Sequence, residues 1–495
     1  MKTKLPTAFA ALALFFAMAC SEPVGLGHIS LTRNFPETLS ITSLPDLTEF
    51  PQGFPLNLSG LEVTLIHGSS QSVIGDYSLS WEKDDGNECE ISDGDMSITA
   101  DPGVKKITVH YSREDASADL TVGFEIKVVE KRWYTVFNSG DWDSVRQDIA
   151  NRGGGSYTVT IATDVPVEVG PSVDFSNPGV FVPTFGNTPD IDVTLQVKQG
   201  KNATLTLDPA KKGPLIYMCD SQKLIIDSDS LTLQGSISND SALLVIEGGA
   251  AVLDLRGGNI ANNTNNIGNG GGVLVNGGHF LMSGGAVSGN TAVFGGGVYL
   301  ENSSSFEMSG GTVSGNTTTG TTNDSRGYAS GGGGVNVDDS IFTMAGKSNI
   351  YQNKSVRGGG VIAINGGTII MTDKSSITGN ASESGGGGIR LGNQSLTSTL
   401  IMKGGIISGN RAGGEGGGVS MFAGSCVQME NGIIYGDDAG NDLKNTDNGT
   451  GAALRMRYND VTEYGTFDAN GDFVSNGSLG DTVNNTIKVV DGILQ

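Results

Sequence analysis

The stretch Gly295–Thr317 reads GGGVYLENSSSFEMSGGTVSGNT, and a near copy, GGGVLVNGGHFLMSGGAVSGNT, precedes it at Gly270–Thr291. Aligning the later chain on Ser-Gly-Asn and its variants places Asn239, Asn263, Asn290, Asn316, Asn353, Asn380 and Asn410 in one column, with Asp437 expected next. The successive gaps are 24, 27, 26, 37, 27 and 30, then 27. A period of this size belongs to solenoids, and its irregularity points to rungs whose corners accept insertions rather than to rigid helical repeats.

Within the unit that starts at Gly295 the apolar runs are Val298–Leu300, Phe306–Met308 and Thr312–Ser314. Each is too short for a helix and alternates in and out like a strand with one packed face. Three strands per turn make a rung of a parallel β-coil, and stacked rungs lie about 4.8 Å apart, so equivalent side chains stack. Val273, Val298, Val335, Val361, Ile389 and Val419 are expected to form one inward ladder, and Met282, Met308, Met344, Met371, Met402 and Met429 a second. The methionines follow Phe280, Phe306 and Phe342 and read as core filler rather than a metal array. Stacked asparagines bond amide to amide at a corner where the backbone turns. The GGG runs fall where one rung passes to the next, at positions that need positive φ. They feed strands rather than a helix N-terminus, which excludes a phosphate cradle, and they lack the Asp of a calcium roll.

Glycine makes up 76 of 495 residues but proline only 14, so neither collagen nor a low-complexity tract fits. The 30 basic and 53 acidic residues leave a net charge of −23, which repels nucleic acid. No nucleic-acid partner is expected. The segment MKTKLPTAFAALALFFAMAC combines two lysines with an apolar run, Ala8–Ala19, too short to span a bilayer, and reads as an export signal. Beyond Cys20, the remaining Cys89, Cys219 and Cys426 are odd in number and have no metal-ligand spacing, so they are expected to be unpaired.

Before about Lys131 the pattern is different. Leu61–Ile66, Tyr77–Trp81, Ile107–Tyr111 and Leu120–Val128 alternate with period two, which predicts an antiparallel β-sandwich over 39–130. Trp142, Val145 and Ile149 then follow helical spacing, with polar cap candidates before them and Gly153 after, so a short amphipathic helix is expected within 131–153. Its place suits a cap over the first rung, since an open solenoid end exposes apolar cross-section. The expected layout is a signal peptide at 1–19, a tether at 20–38, the sandwich at 39–130, the cap segment at 131–153 and the β-helix with a C-terminal cap at 154–495.

Three resemblances attach to these residues. Ala17-Met18-Ala19-Cys20-Ser21 resembles the lipobox of bacterial lipoproteins, with Ala17 where Leu is usual, which implies acylation of Cys20, a membrane anchor through that lipid and an outer-membrane or cell-surface location. Leu56–Leu65, Gly68–Val73 and Asp101–Val109 are similar to bacterial Ig-like domains, which serve as stalks or binding modules. The GG-[AVI] elements from Gly248 to Val419 resemble right-handed parallel β-helices of the pectate-lyase-like superfamily, with glycine repeats similar to those of polymorphic outer-membrane proteins and related adhesins, though without their FxxN tetrapeptide.

That superfamily includes enzymes that cleave polysaccharides with clustered carboxylates, so the outward positions matter. On the first strand they are Leu274, Tyr299, Asn336, Ile362, Arg390 and Ser420, followed by Glu301 and Asp338; on the second, Leu281, Glu307, Thr343, Ile370, Ile401 and Gln428. No catalytic residue, metal ligand or cofactor is assigned: Glu301 and Asp338 make a thin constellation, and the four histidines fall at 28, 67, 110 and 279, outside any triad. Leu274, Tyr299 and Ile362, with Ile370 and Ile401, instead suggest an elongated, partly apolar interaction surface. The 37-residue gap holds an insertion, Thr317–Ser330, whose Arg326 and Tyr328 are the side chains best suited to anchor a ligand. The candidate ligand contacts are therefore Arg326, Tyr328, Tyr299, Glu301 and Asp338, on a lipid-anchored, non-catalytic adhesion or ligand-binding scaffold for a host or matrix protein or a glycan. The alternative is a carbohydrate-active enzyme working on the β-helix face.

Overall fold

The computed structural model describes residues 37–495 apart from 46–47, 52–55, 68–69, 84–87, 96, 101–102, 113–119, 130, 173–181, 321–330, 393–396, 423, 449–451, 457–459 and 469–470. Compact units divide the chain in two: one gathers the residues up to Thr48 with Leu56–Asp95 and Lys105–Ile126, the other Glu49–Pro55, Met96–Val104 and Lys127–Gln495. In the N-terminal part Glu37–Ser43, Glu62–His67 and Ser70–Ile74 form a three-stranded antiparallel sheet. A five-stranded sheet runs in the order Glu49–Pro51, Leu120–Val129, Gly103–Tyr111, Ser78–Glu82, Glu88–Ile91. Alternation does what the pattern predicts: Ile107 and Val109, then Phe124, Ile126 and Val128, are buried on one face of their strands. Two small sheets of this kind are consistent with a β-sandwich.

The larger unit is a parallel β-solenoid. Its stacking begins with Lys131–Val136, which pairs in parallel with Gly155–Ile161, which in turn pairs with Ile191–Val197. The intervening helix, Ser139–Arg152, starts at the N-cap Asn138, whose side chain accepts from Asp141 N–H, and stops at Gly153 with φ 78°. Trp142, Val145 and Ile149 are its buried residues, and the Trp142 ring meets Phe185 edge-on at 6.0 Å, inside the solenoid core.

In the rung that follows Gly297, Val298–Glu301, Ser305–Met308 and Thr312–Ser314 are strands, each paired in parallel with its counterparts one rung away on either side. First strands build a ten-stranded sheet. A further extended segment follows the asparagine corner in six rungs, among them Thr317–Thr318, Lys354–Ser355 and Arg411–Ala412, and forms a sheet of its own. This fourth side was not visible in the apolar pattern because its strands are as short as two residues.

Both inward ladders are present. The six methionines, from Met282 to Met429, are all buried, with Met308 and Met344 in direct register. Phe280, Phe306 and Phe342 stack with centroids 4.3 and 4.8 Å apart. Complete burial of each such side chain contributes about 1.5–3 kcal/mol. The stack then closes on itself. Val461–Phe467 still pairs in parallel with Cys426–Ile434, but Phe473–Ser478, Ile487–Val490 and Ile493–Leu494 are antiparallel, so the ladder ends in hairpins rather than an open parallel edge.

Candidate functional site

The asparagine corner decides where a surface can vary. Asn353 is fully buried; its Oδ1 accepts from Asn316 N–H at 2.9 Å and Asn316 Nδ2 at 3.0 Å, while its Nδ2 donates to Val313 O at 2.9 Å and to Asn380 Oδ1 at 3.0 Å. Asn316, Asn380 and Asn410 repeat the same four bonds, so the column is completely satisfied. Asp437 does not continue it. The next place belongs to Asn445, fully buried, whose Oδ1 accepts from Asn410 N–H and Nδ2, both at 2.9 Å.

Glycines complete the corner in two ways. The third glycine before each inward Val or Ile of the first strands, such as Gly358 with φ 62°, takes the left-handed conformation expected. The two that follow it are needed for space: a Cβ on Gly359 would lie 2.4 Å from Gly387 O, and one on Gly360 3.0 Å from Asn380 Nδ2.

The glycine runs also fold over the outer face of the first strands, which corrects the expectation of an elongated exposed surface there. Tyr299 and Asp338 are buried, at 2% and 5% exposure, and Asn336 and Ile362 have none. A Cβ on Gly295 or Gly358 would sit 3.0 Å from the Cβ of Tyr299 or Ile362. Alternation sets which side of a strand a residue faces but not whether that side is covered. Tyr299 OH donates to Asp338 Oδ2 at 2.9 Å and Asn365 Nδ2 to Asp338 Oδ1 at 2.5 Å, while the Arg390 guanidinium lies 5.3 Å from the Phe422 ring centre. Glu301, Leu274 and Arg390 are half-buried. The structure thus brings Tyr299 and Asp338 together, in a closed cluster. Arg326, Tyr328 and Cys20 lie outside the described residues. Cys89, Cys219 and Cys426 are unpaired, and burial pushes the Cys219 and Cys426 thiols up.

An open surface exists on the outside of the asparagine corner. A groove of about 440 Å³ is lined by Gly315, Thr317, Gln352, Asn353, Lys354, Gly379 and Ala381, a volume within the usual range for small-molecule sites. It spans three rungs. Gly315 and Gly379 carry no side chain, and a Cβ on Gly379 would meet nothing within 4 Å. In the middle rung Gln352 takes the place of glycine and keeps its left-handed backbone at φ 55°, against 64° and 63° for its neighbours. The outward residues flanking this asparagine are Tyr351 and Lys354, whereas the rung before has Ser314 and Thr317 and the rung after Thr378 and Ala381. Tyr351 is half-buried, Gln352 and Lys354 exposed. Among the described residues the Tyr351 hydroxyl, the Gln352 amide and the Lys354 ammonium make no hydrogen bond or ion pair. The periodicity that reveals the asparagine column hides this trio; its signal in the sequence is Tyr-Gln-Asn-Lys in place of Ser-Gly-Asn-Thr.

Farther along, Asp447 Oδ2 is buried without a hydrogen-bond partner, and burial raises its carboxyl above the usual range, with Asp437 and Glu415 adding repulsion. Glu415 pairs with Arg455 at 3.4 Å. No group of three or more potential metal-binding side chains occurs among the described residues. No protein-family model matches the chain, and no curated protein does either.

Proposed function

We propose that this chain is a lipid-anchored protein of the cell envelope or surface whose β-solenoid is a non-catalytic adhesion or ligand-binding scaffold. The observation that carries this reading is the open groove lined by Gln352 and Lys354, two polar side chains with no hydrogen bond or ion pair among the described residues, with Tyr351 next to them on the third strand of the same rung. A rigid stack of rungs holds such groups at fixed spacing without ordering them anew on binding, which favours affinity. The glycine runs and stacked asparagines support membership of the pectate-lyase-like β-helices, with repeats of the adhesin kind. The anchor rests on the resemblance of Ala17–Ser21 to a lipobox; no helix among the described residues is long and apolar enough to cross a membrane.

Glycan and matrix-protein arrays probed with the mature soluble chain test the scaffold. Binding without release of reducing ends or unsaturated uronides supports it, and turnover of a bound polysaccharide would overturn it. Loss of detergent-phase partitioning in Cys20→Ser tests the anchor.

The enzyme reading has one observation in its favour, the raised carboxyl of Asp447 near Glu415, since glycosidic chemistry uses two carboxyl groups in unlike environments. The same turnover assay on Asp447→Asn decides it.

A further inference from the structure

We propose that Tyr351, Gln352 and Lys354 form a subsite for an acidic sugar, carboxylated or sulfated, carried on an extended glycan chain; this rests on the scaffold reading above. Three consecutive outward positions of one rung depart from the repeat together. One departure is unfavourable by itself. Gln352 holds a left-handed backbone, which disfavours a residue with a Cβ by about 1–2 kcal/mol relative to the glycine used on either side, and its amide makes no bond among the described residues that would offset this. Local strain without a local partner points to a ligand.

The three groups define its chemistry. The half-buried Tyr351 brings an aromatic ring and a hydroxyl to the edge of the groove, and aromatic rings suit the C–H side of a sugar. The carboxamide both donates to and accepts from hydroxyls, and the ammonium supplies three donors and a positive charge. In a chain of net charge −23 a polyanion is repelled in general, so attraction has to come from a local exception. Lys354 is one, and Arg411 stands two rungs further along the same outward column, roughly 10 Å away, also with no ion pair among the described residues. Two cations at that spacing along one outward column suit a polymer with repeating negative charge, whose weak single contacts add through multivalency.

The probes are carboxymethyl-dextran, dextran sulfate and neutral dextran, which share one backbone, titrated against the detergent-solubilised full chain at low and moderate salt. The expected result is binding of at least one charged dextran and none of the neutral one. Tyr351→Ala and Lys354→Ala should each weaken that binding about fivefold, and Lys347→Ala, the same charge change at the other end of the third strand, should leave it unchanged. Preference for neutral dextran, or equal losses in Lys354→Ala and Lys347→Ala, would overturn the subsite. Array binding with no charged dextran bound would overturn the subsite and leave the scaffold standing; no binding on either platform would remove both.

Discussion

Asn353 and Gln352 are adjacent in the chain and live under opposite rules. Asn353 points into the solenoid, where four hydrogen bonds and the packed glycine carbonyls of neighbouring rungs allow one side chain and one backbone path. Gln352 points out, over a groove where a Cβ on the equivalent Gly379 would touch nothing within 4 Å. Repetition on the inner side reports what the stack needs. Departure on the outer side has no such cause and is where binding can be written without touching the core. The first-strand face is a third case: outward by alternation yet covered by the glycine runs, so Tyr299 and Asp338 belong to packing.

The contrast can be broken first on the inner side. Asn353→Ala removes the side-chain partner of Asn316 N–H, Asn316 Nδ2 and Val313 O, and at about 1–3 kcal/mol for each buried group the loss should be at least about 3 kcal/mol. Denaturant unfolding measures it, and a loss below about 1 kcal/mol would mean the column is not a continuous ladder. Gly359→Ala forces a Cβ to within 2.4 Å of Gly387 O and 2.6 Å of Ala381 C, backbone atoms that cannot swing aside. The expected loss is about 3 kcal/mol. On the outer side, Gly379→Ala meets no atom and should lose only what its φ of 63° imposes, about 1–2 kcal/mol. Equal losses for the two glycines would erase the distinction.

Much of this corner was legible in the sequence because its inner positions repeat. The asparagine and methionine ladders, the helix around Trp142, Val145 and Ile149, and the left-handed glycines before the first strands follow from spacing and residue chemistry. Asn445 is hard to see in the sequence, and Asp437 takes its place, because Lys444 stands where Asn290, Asn316, Asn380 and Asn410 are preceded by glycine, and the gap from Asn410 stretches to 35. Covering of the first-strand face was missed because it depends on where a loop returns, which strand periodicity does not encode. The groove was missed because a concavity is made by neighbours on three rungs.

The end of the ladder behaves differently from its middle. Burial holds the Asp447 carboxyl above its ordinary range, so its stabilising contribution is complete below the unfolded pKa and lost as pH rises through the raised folded value. At pH 7 the charged form opposes folding. Asp447→Asn should therefore raise Tm at pH 7 and do so less at pH 4; a lower Tm at pH 7 would show that the charge is used rather than tolerated.

The most direct test of the inner–outer distinction is thermal unfolding of Gln352→Gly, with its carboxymethyl-dextran affinity measured on the same preparation. Restoring the glycine of the neighbouring rungs should relieve the left-handed strain and stabilise the solenoid by about 1 kcal/mol while weakening binding. A variant that melts earlier than the parent, or melts later and binds unchanged, would contradict the account.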